Sequence, residues 1–283
     1  MAITADDVKR LRDATGAGMM DCKKALMKSN GDFDAANKFL KEMGLAAIAK
    51  RQDRATNNGR VFVRVTDDKA VIVQLSCETD FVAGNSQFAE LGENICSVVV
   101  EKGYTGINDE LNGMVNDLIT VIKENMALKQ VIVIPLGKDE FASSYVHGEG
   151  SLGVVVTFKT DKPEVADNQL VKEFANDCAL HVAAFTPSYF STSSVDPAYI
   201  AEQKEIFTAQ AVLLDKPAKV VEGIVKGKLS KHLAEICFLQ QKFVKDDSVS
   251  VEQKAKEVGK ASGGTLEITN FTYILAGSAS CEV

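Results

Sequence analysis

Two short runs of alternating apolar residues, separated by Asp67-Asp68-Lys69, constrain this chain more than any other feature. Val61, Val63 and Val65 share one face of the first run, and Val71, Val73 and Leu75 share one face of the second. Period-two alternation belongs to strands, and so short a polar break predicts an antiparallel hairpin. The second run, Val71-Ile72-Val73-Gln74-Leu75-Ser76-Cys77, leads straight to Thr79-Asp80-Phe81-Val82. A core residue normally sits inside such a run. A phenylalanine just past its end, beside a carboxylate, is placed at a rim. Two readings of Phe81 follow: a helix staple or ordinary core residue, which local pattern favours, or a wedge offered to another protein.

The hairpin starts a longer order. Helical spacing is predicted over 86–102 and 109–126, then a buried strand at Gln130–Ile134 closed by Pro135. The order then recurs: a second hairpin from Ala142–His147 and Leu152–Phe158, and a helix over 168–185 with Val171, Phe174, Cys178, Val182 and Phe185 inward. Two tandem hairpin-plus-helix units suggest an internal duplication. Residues 196–240 differ. Asp196-Pro197 is an N-cap with proline at the first helical position, Ile200, Phe207 and Leu214 repeat every seven residues, and Pro217 opens a second helix. The two helices, joined at Asp215-Lys216, are expected to form an antiparallel helical hairpin whose repeat packs internally or serves self-association. A helix at 251–260 and a strand at Thr265–Leu275 complete the pattern.

Ahead of the first hairpin, residues 1–44 read as three short helices. Thr4 and Asp7 resemble a capping box, with Val8 and Leu11 inward. Gly16 and Gly18 break the pattern before a helix over Met19–Ser29 with Cys22, Ala25 and Leu26 inward. Asn30-Gly31-Asp32 supplies a stop and a new N-cap. Phe33, Ala36, Leu40 and Met43 then recur at helical spacing, and Gly44 is expected to end the helix. Residues 45–59 are polar towards their end and read as a linker, though Leu45–Ala49 has the composition to prolong a helix. So small a bundle buries little by itself and calls for a partner surface.

At 283 residues the chain has room for more than one domain. No apolar stretch reaches the length of a bilayer span and the N-terminus lacks signal-peptide regions, so a cytoplasmic protein with no membrane role is expected. A net charge of −7 argues against a general nucleic-acid binder. The six cysteines have neither metal-ligand nor redox spacing and read as small hydrophobes. Of the three histidines, His147 ends a strand and His181 lies beside an apolar helix face; neither joins a nucleophile or metal motif. Gly16-Ala17-Gly18 follows no strand and lacks the Gly-Lys-Ser/Thr ending of a phosphate loop. No constellation supports bond chemistry, and no cofactor or metal is called for. Met19-Met20 at a helix start divides between one core and one loosely packed methionine and a plastic contact surface; Lys23 and Lys24 follow on the same helix.

Two segments carry a resemblance. Leu11-Arg12-Asp13-Ala14-Thr15-Gly16-Ala17-Gly18-Met19-Met20-Asp21-Cys22-Lys23-Lys24-Ala25-Leu26 resembles the N-terminal motif of bacterial elongation factor Ts, and Leu75-Ser76-Cys77-Glu78-Thr79-Asp80-Phe81-Val82-Ala83 is similar to that family's second motif. Ser144–Gly148, His181–Ala184 and Val220–Gly223 match in family order. The resemblance implies an α+β fold: a ubiquitin-associated-like three-helix domain at 1–44, a linker at 45–59, and a core of two subdomains at 60–140 and 141–283. The second subdomain carries a helical hairpin inserted at 196–240. It implies guanine-nucleotide exchange on elongation factor Tu, without bond chemistry. Arg12, Met19, Met20 and Lys23 would grip one helix of the GTPase. Thr79, Asp80, Phe81 and Val82 would enter between two others and disturb its magnesium site, with His147 as a supporting contact. Two readings compete: an interaction scaffold without exchange activity, and an enzyme whose turnover depends on His147 or His181. The sequence departs from the family pattern where Lys123 stands for the usual glycine and where the strand Asn270–Leu275 lacks the usual arginine. It also ends at Val283, where some members continue into a helix that touches the GTPase, so that contact is expected to be absent or replaced.

Overall fold

In the computed structural model, residues 3–49, 51–214 and 217–277 are described. The predicted joint Asp215-Lys216 and Cys281 lie outside them. The architecture is a mixture of helices and small antiparallel sheets, an α+β fold.

Three helices open the chain: α1 (Ala5–Thr15), α2 (Met19–Lys28) and α3 (Phe33–Ala49). Thr4 and Asp7 form the expected capping box, each side chain accepting the other's backbone N–H. Gly16, at φ +66, ends α1, and the Asp32 carboxylate accepts from the Ala35 N–H at 2.9 Å to start α3. Val8, Leu11, Cys22, Ala25, Leu26 and Ala36 form the small core, with Phe33 and Leu40 packed against it. Gly44 does not end α3, which runs on to Ala49. A Cβ at Gly44 would collide with Thr120, so the glycine serves close approach of two helices rather than a stop.

The first sheet has the order β1-β2-β3, from Asn58–Val65, Lys69–Cys77 and Met126–Pro135. Between β2 and β3 run a short α4 (Asp80–Ala83), α5 (Ser86–Lys102) and α6 (Asp109–Ile122). The helix expected to reach 126 stops at Ile122. Lys123 adopts the left-handed conformation at φ +67 and donates its N–H to the Ile119 carbonyl at 2.9 Å, closing the last turn. The edge strand β3 is correspondingly longer than the expected Gln130–Ile134. Pro135 pairs opposite Lys69 at its end, where an edge strand tolerates the missing donor.

The second sheet has the order β4-β5-β8, from Glu140–His147, Leu152–Thr160 and Leu266–Leu275. Between β5 and β8 lie α7 (Pro163–Asp167), α8 (Gln169–Phe185), α9 (Pro197–Val212), α10 (Ala218–Ile236), a two-stranded sheet β6-β7 (Lys242–Phe243, Asp246–Ser250) and α11 (Val251–Ala261). Neither α7 nor the β6-β7 pair has periodicity long enough to be read from sequence. The α9 and α10 helices pack on each other, with the Tyr199 hydroxyl 2.8 Å from His232 Nε2 and the Phe207 ring edge-on to the same imidazole. Leu214 is half exposed, so the seven-residue repeat is not wholly internal.

Alternate residues of the central strands face different layers. Val71, Val73, Leu75 and Cys77 of β2 pack under α5 and α6 with Phe88, Ile95 and Leu111. Ala70 and Ile72 point the other way and meet Val61, Val155 and Ile274, so the sheets close on each other. Val154, Val156 and Phe158 of β5 then face α8 and α11. The layers are helix, sheet, sheet, helix. This is why β2 and β5 are buried on both faces and read as near-continuous apolar runs. Ladder slips fall between Gln74 and Leu75 in one sheet and between Thr157 and Phe158 in the other.

Candidate functional site

Past Cys77 the chain leaves the first sheet and makes one helical turn. Thr79, in an extended conformation, is the N-cap of α4, and its hydroxyl accepts from the Val82 N–H at 3.3 Å. The Asp80 carboxylate accepts from the Phe81 N–H at 3.0 Å. Gly84 closes the turn, donating to the Asp80 carbonyl at 2.8 Å. Successive residues of a helix point about 100° apart. Val82 therefore turns into the core beneath α5 while Phe81 stands out. Val82 is 6% exposed and Phe81 86%. The reading of Phe81 as an ordinary core residue is thus overturned: in so short a turn the inward side is taken by Val82, with Ala83 packed beside it.

The base of this turn is tied down from several sides. Glu124 accepts from the Thr79 N–H at 3.2 Å and from its hydroxyl at 3.0 Å. The Cys77 thiol donates to the Thr79 carbonyl at 3.1 Å. Glu78 accepts from the Asn125 backbone N–H at 2.6 Å and pairs with Arg54 at 3.4 Å. Its own carbonyl accepts from the Asn58 amide at 2.8 Å.

On the helical domain, Met19 is 43% and Met20 75% exposed, so neither is the core methionine that one reading expected. A start at Met19 puts Cys22, Ala25 and Leu26 on the inward face and leaves Met20 and Lys23 outward. Met27, also exposed, continues their stripe at helical spacing and was not singled out from sequence. Arg12 is exposed on α1. The domain reaches the core through α3, where Gly44 meets Thr120, and through an ion pair of 2.8 Å between Asp21 and Lys123.

His147 is exposed at the end of β4, with Nδ1 2.9 Å from the Tyr145 hydroxyl. The turn after it leans on β1: the Val61 N–H donates to the Gly150 carbonyl at 2.8 Å, and Arg60 pairs with Glu149 at 2.6 Å. At the start of β1 the Asn58 amide holds the Glu78 carbonyl, so β1 touches both the turn after His147 and the base of the α4 turn. The other imidazoles are occupied in packing. His181 is buried between Gln241, 2.9 Å from Nε2, and the Val244 N–H, which donates to Nδ1 at 3.2 Å. His232 bonds Tyr199. Among the described residues no group of three or more His, Cys, Asp or Glu side chains is placed to hold a metal ion. The five described cysteines are free and buried, and burial pushes Cys77 up to about 11 and Cys96 up to about 12. No helix among the described residues is long and apolar enough to cross a membrane.

The family model for elongation factor Ts matches residues 78–278. Over 277 residues the chain is 50% identical to elongation factor Ts of Treponema denticola, covering 98% of this chain and 99% of the relative. The chain belongs to the elongation factor Ts family. Elongation factor Ts of Treponema pallidum is 48% identical over 280 residues, 95% of this chain and 97% of its own length. That of Borreliella burgdorferi is 42% identical over 276 residues, 97% and 99%. The family match starts at Glu78, one residue before the α4 cap, and the full-length relatives extend the likeness through the N-terminal helices. Family membership makes this a translation elongation factor, a component of protein biosynthesis. Position 123 is left-handed, a conformation in which glycine is at ease. Lysine accepts the strain and gains Asp21. Sequence reading missed Glu124, Asn125 and Asp21 as supports of the two surfaces. The available signal was a run of three polar residues, Lys123-Glu124-Asn125, between an apolar helix and an apolar strand.

Proposed function

We propose that this chain binds elongation factor Tu in its GDP form and promotes GDP release, allowing GTP to bind, without bond chemistry and without a cofactor of its own. The observation that carries the reading is Phe81. It is a large aromatic, 86% exposed, on a turn whose neighbour is anchored and whose cap is held by Glu124. Exposed, it adds nothing to the stability of the fold, and a large aromatic held on an anchored turn is the kind of side chain that serves as an interface anchor. Thr79, Asp80, Phe81 and Val82 form the wedge, while Arg12, Met19, Met20 and Lys23 grip a second place on the GTPase. His147 is a supporting contact. GDP is held largely through its phosphates and Mg²⁺, so displacing helices that support the ion weakens nucleotide binding. Linkage requires nucleotide to weaken the factor's binding by the same ratio.

In this reading residues 1–44 are a ubiquitin-associated-like domain, residues 45–59, which begin with the last turn of α3, link it to the core, and the two halves of the core, 60–140 and 141–283, are copies of one unit. Each half has a hairpin, a third strand and a ladder slip at the corresponding place, which supports the duplication. Residues 196–240 are an insertion in the second half. The protein works in the cytoplasm and touches neither nucleic acid nor membrane. The test mixes it with Tu from the same organism, loaded with fluorescent GDP, and follows release. Acceleration is expected. Release at the spontaneous rate sinks the proposal, and tight binding without release favours a scaffold.

A further inference from the structure

The turn joining α6 to β3 holds three polar residues in succession, and each fastens a different part of the molecule. Lys123 Nζ pairs with Asp21 of α2 at 2.8 Å. Glu124 accepts from the Thr79 N–H at 3.2 Å and from the Thr79 hydroxyl at 3.0 Å. Asn125 donates its backbone N–H to Glu78 at 2.6 Å and its side-chain amide to the Arg54 carbonyl at 2.7 Å. The helical domain, the α4 turn and the segment between α3 and β1 therefore meet at one place.

Two details give the turn a purpose beyond chain reversal. Lys123 stands at φ +67, where glycine is at ease and a side chain is not. The strain is held in exchange for a cation whose partner lies 102 residues earlier in the chain. Glu124 acts twice on one residue. Because the Thr79 hydroxyl donates to Glu124, its lone pairs are left to face the Val82 N–H at 3.3 Å. A single helical turn cannot hold itself together, so an oriented cap decides where its side chains point.

We propose that Lys123-Glu124-Asn125 is a positioning hub that keeps α2 and α4 in register. Glu124 orients Phe81 through Thr79, and Lys123 orients Met19 and Met20 through Asp21. The proposal rests on the exchange reading above, since delivery of both surfaces to one partner is what the register serves. Asp21, Lys123 and Glu124 become positioning residues for exchange.

The experiment separates the two ideas. In the free, full-length protein, amide hydrogen exchange is read at Val82 in the unaltered chain, Glu124→Ala and Glu124→Gln. Losing a charge-assisted hydrogen bond should speed Val82 exchange by about tenfold in Glu124→Ala, and Glu124→Gln, which keeps an acceptor, should recover most of the protection. Residual dipolar couplings then read how firmly α1–α3 are oriented on the core. Lys123→Gly and Asp21→Asn should shrink the couplings of the helical domain alone. Lys123→Gly should not lower the melting temperature, because it also relieves the left-handed backbone. In the GDP-release assay Glu124→Ala should lose about tenfold of the acceleration and Glu124→Gln regain it. The hub is overturned if Val82 protection and the couplings are unchanged, if the alanine and glutamine variants behave alike, or if Glu124→Ala exchanges nucleotide as well as the unaltered chain. If the unaltered chain itself fails to speed release, the exchange reading falls, while the two measurements on the free protein still decide whether the turn sets the register.

Discussion

Replacing Phe81 with alanine should separate function from fold. The side chain is 86% exposed, so truncating it removes almost none of the area buried on folding. Surface changes of this kind alter stability by no more than about 0.5 kcal/mol. The same side chain buried in a complex is worth roughly 1.5–3 kcal/mol, or about ten- to a hundredfold in affinity for the state that buries it. The assay is stopped-flow release of fluorescent GDP from Tu, with a urea titration of each free protein beside it. Phe81→Ala should leave the urea midpoint in place and reduce the acceleration of release by about ten- to a hundredfold. Val82→Ala is the control of opposite sign. Val82 is 6% exposed against the α5 layer, so its truncation should cost about 1–3 kcal/mol of stability. Equal release rates for Phe81→Ala and the unaltered chain would refute the reasoning. So would a fall in its urea midpoint as large as that of Val82→Ala, because Phe81 would then belong to the fold.

Other expectations follow from the core and its titratable groups. Gly92 of α5 lies against the Phe62 ring of β1, which an added Cβ would strike, so Gly92→Ala should destabilise by about 1–3 kcal/mol; an unmoved urea midpoint contradicts that packing. Burial pushes the His181 imidazole below its usual 6.5, with the Gln241 hydrogen bond pulling the other way. The unfolded chain then takes up the proton first. The contribution of His181 is intact above pH 6.5 and is lost as the pH falls below it towards the folded value. As the pH falls below 6.5, urea midpoints should drop more steeply in the unaltered protein than in His181→Gln, and parallel profiles would exonerate His181. Cys77 and Cys96, pushed up to about 11 and about 12, should resist iodoacetamide at neutral pH until urea unfolds the chain, as peptide mass spectrometry can check. Modification of either in the folded protein contradicts their burial.

The elements with strong periodicity were legible in the sequence. The hairpin around Asp67-Asp68-Lys69 appears as β1 and β2, and the helix predicted over 86–102 is α5. Errors came where one residue type has two uses. Gly44 read as a stop because glycine often ends helices, but here it lets α3 approach Thr120. Lys123 carried no stop signal, although its backbone ends α6, because left-handed lysine is rare enough to be unexpected.

Sequence alone settled the alternation that makes strands, the caps that start helices, and the rim position of Thr79-Asp80-Phe81-Val82. These depend on a residue and its near neighbours, so a linear pattern contains them. It did not settle which way Phe81 points. In a one-turn helix the inward position is a competition between adjacent apolar residues, and the layer beneath α5 awards it to Val82. Nor did it show that Lys123, Glu124 and Asn125 reach Asp21, Thr79 and the Arg54 carbonyl. Those pairings join residues far apart in the chain, and only the packing of helices on sheets brings the partners within hydrogen-bond reach.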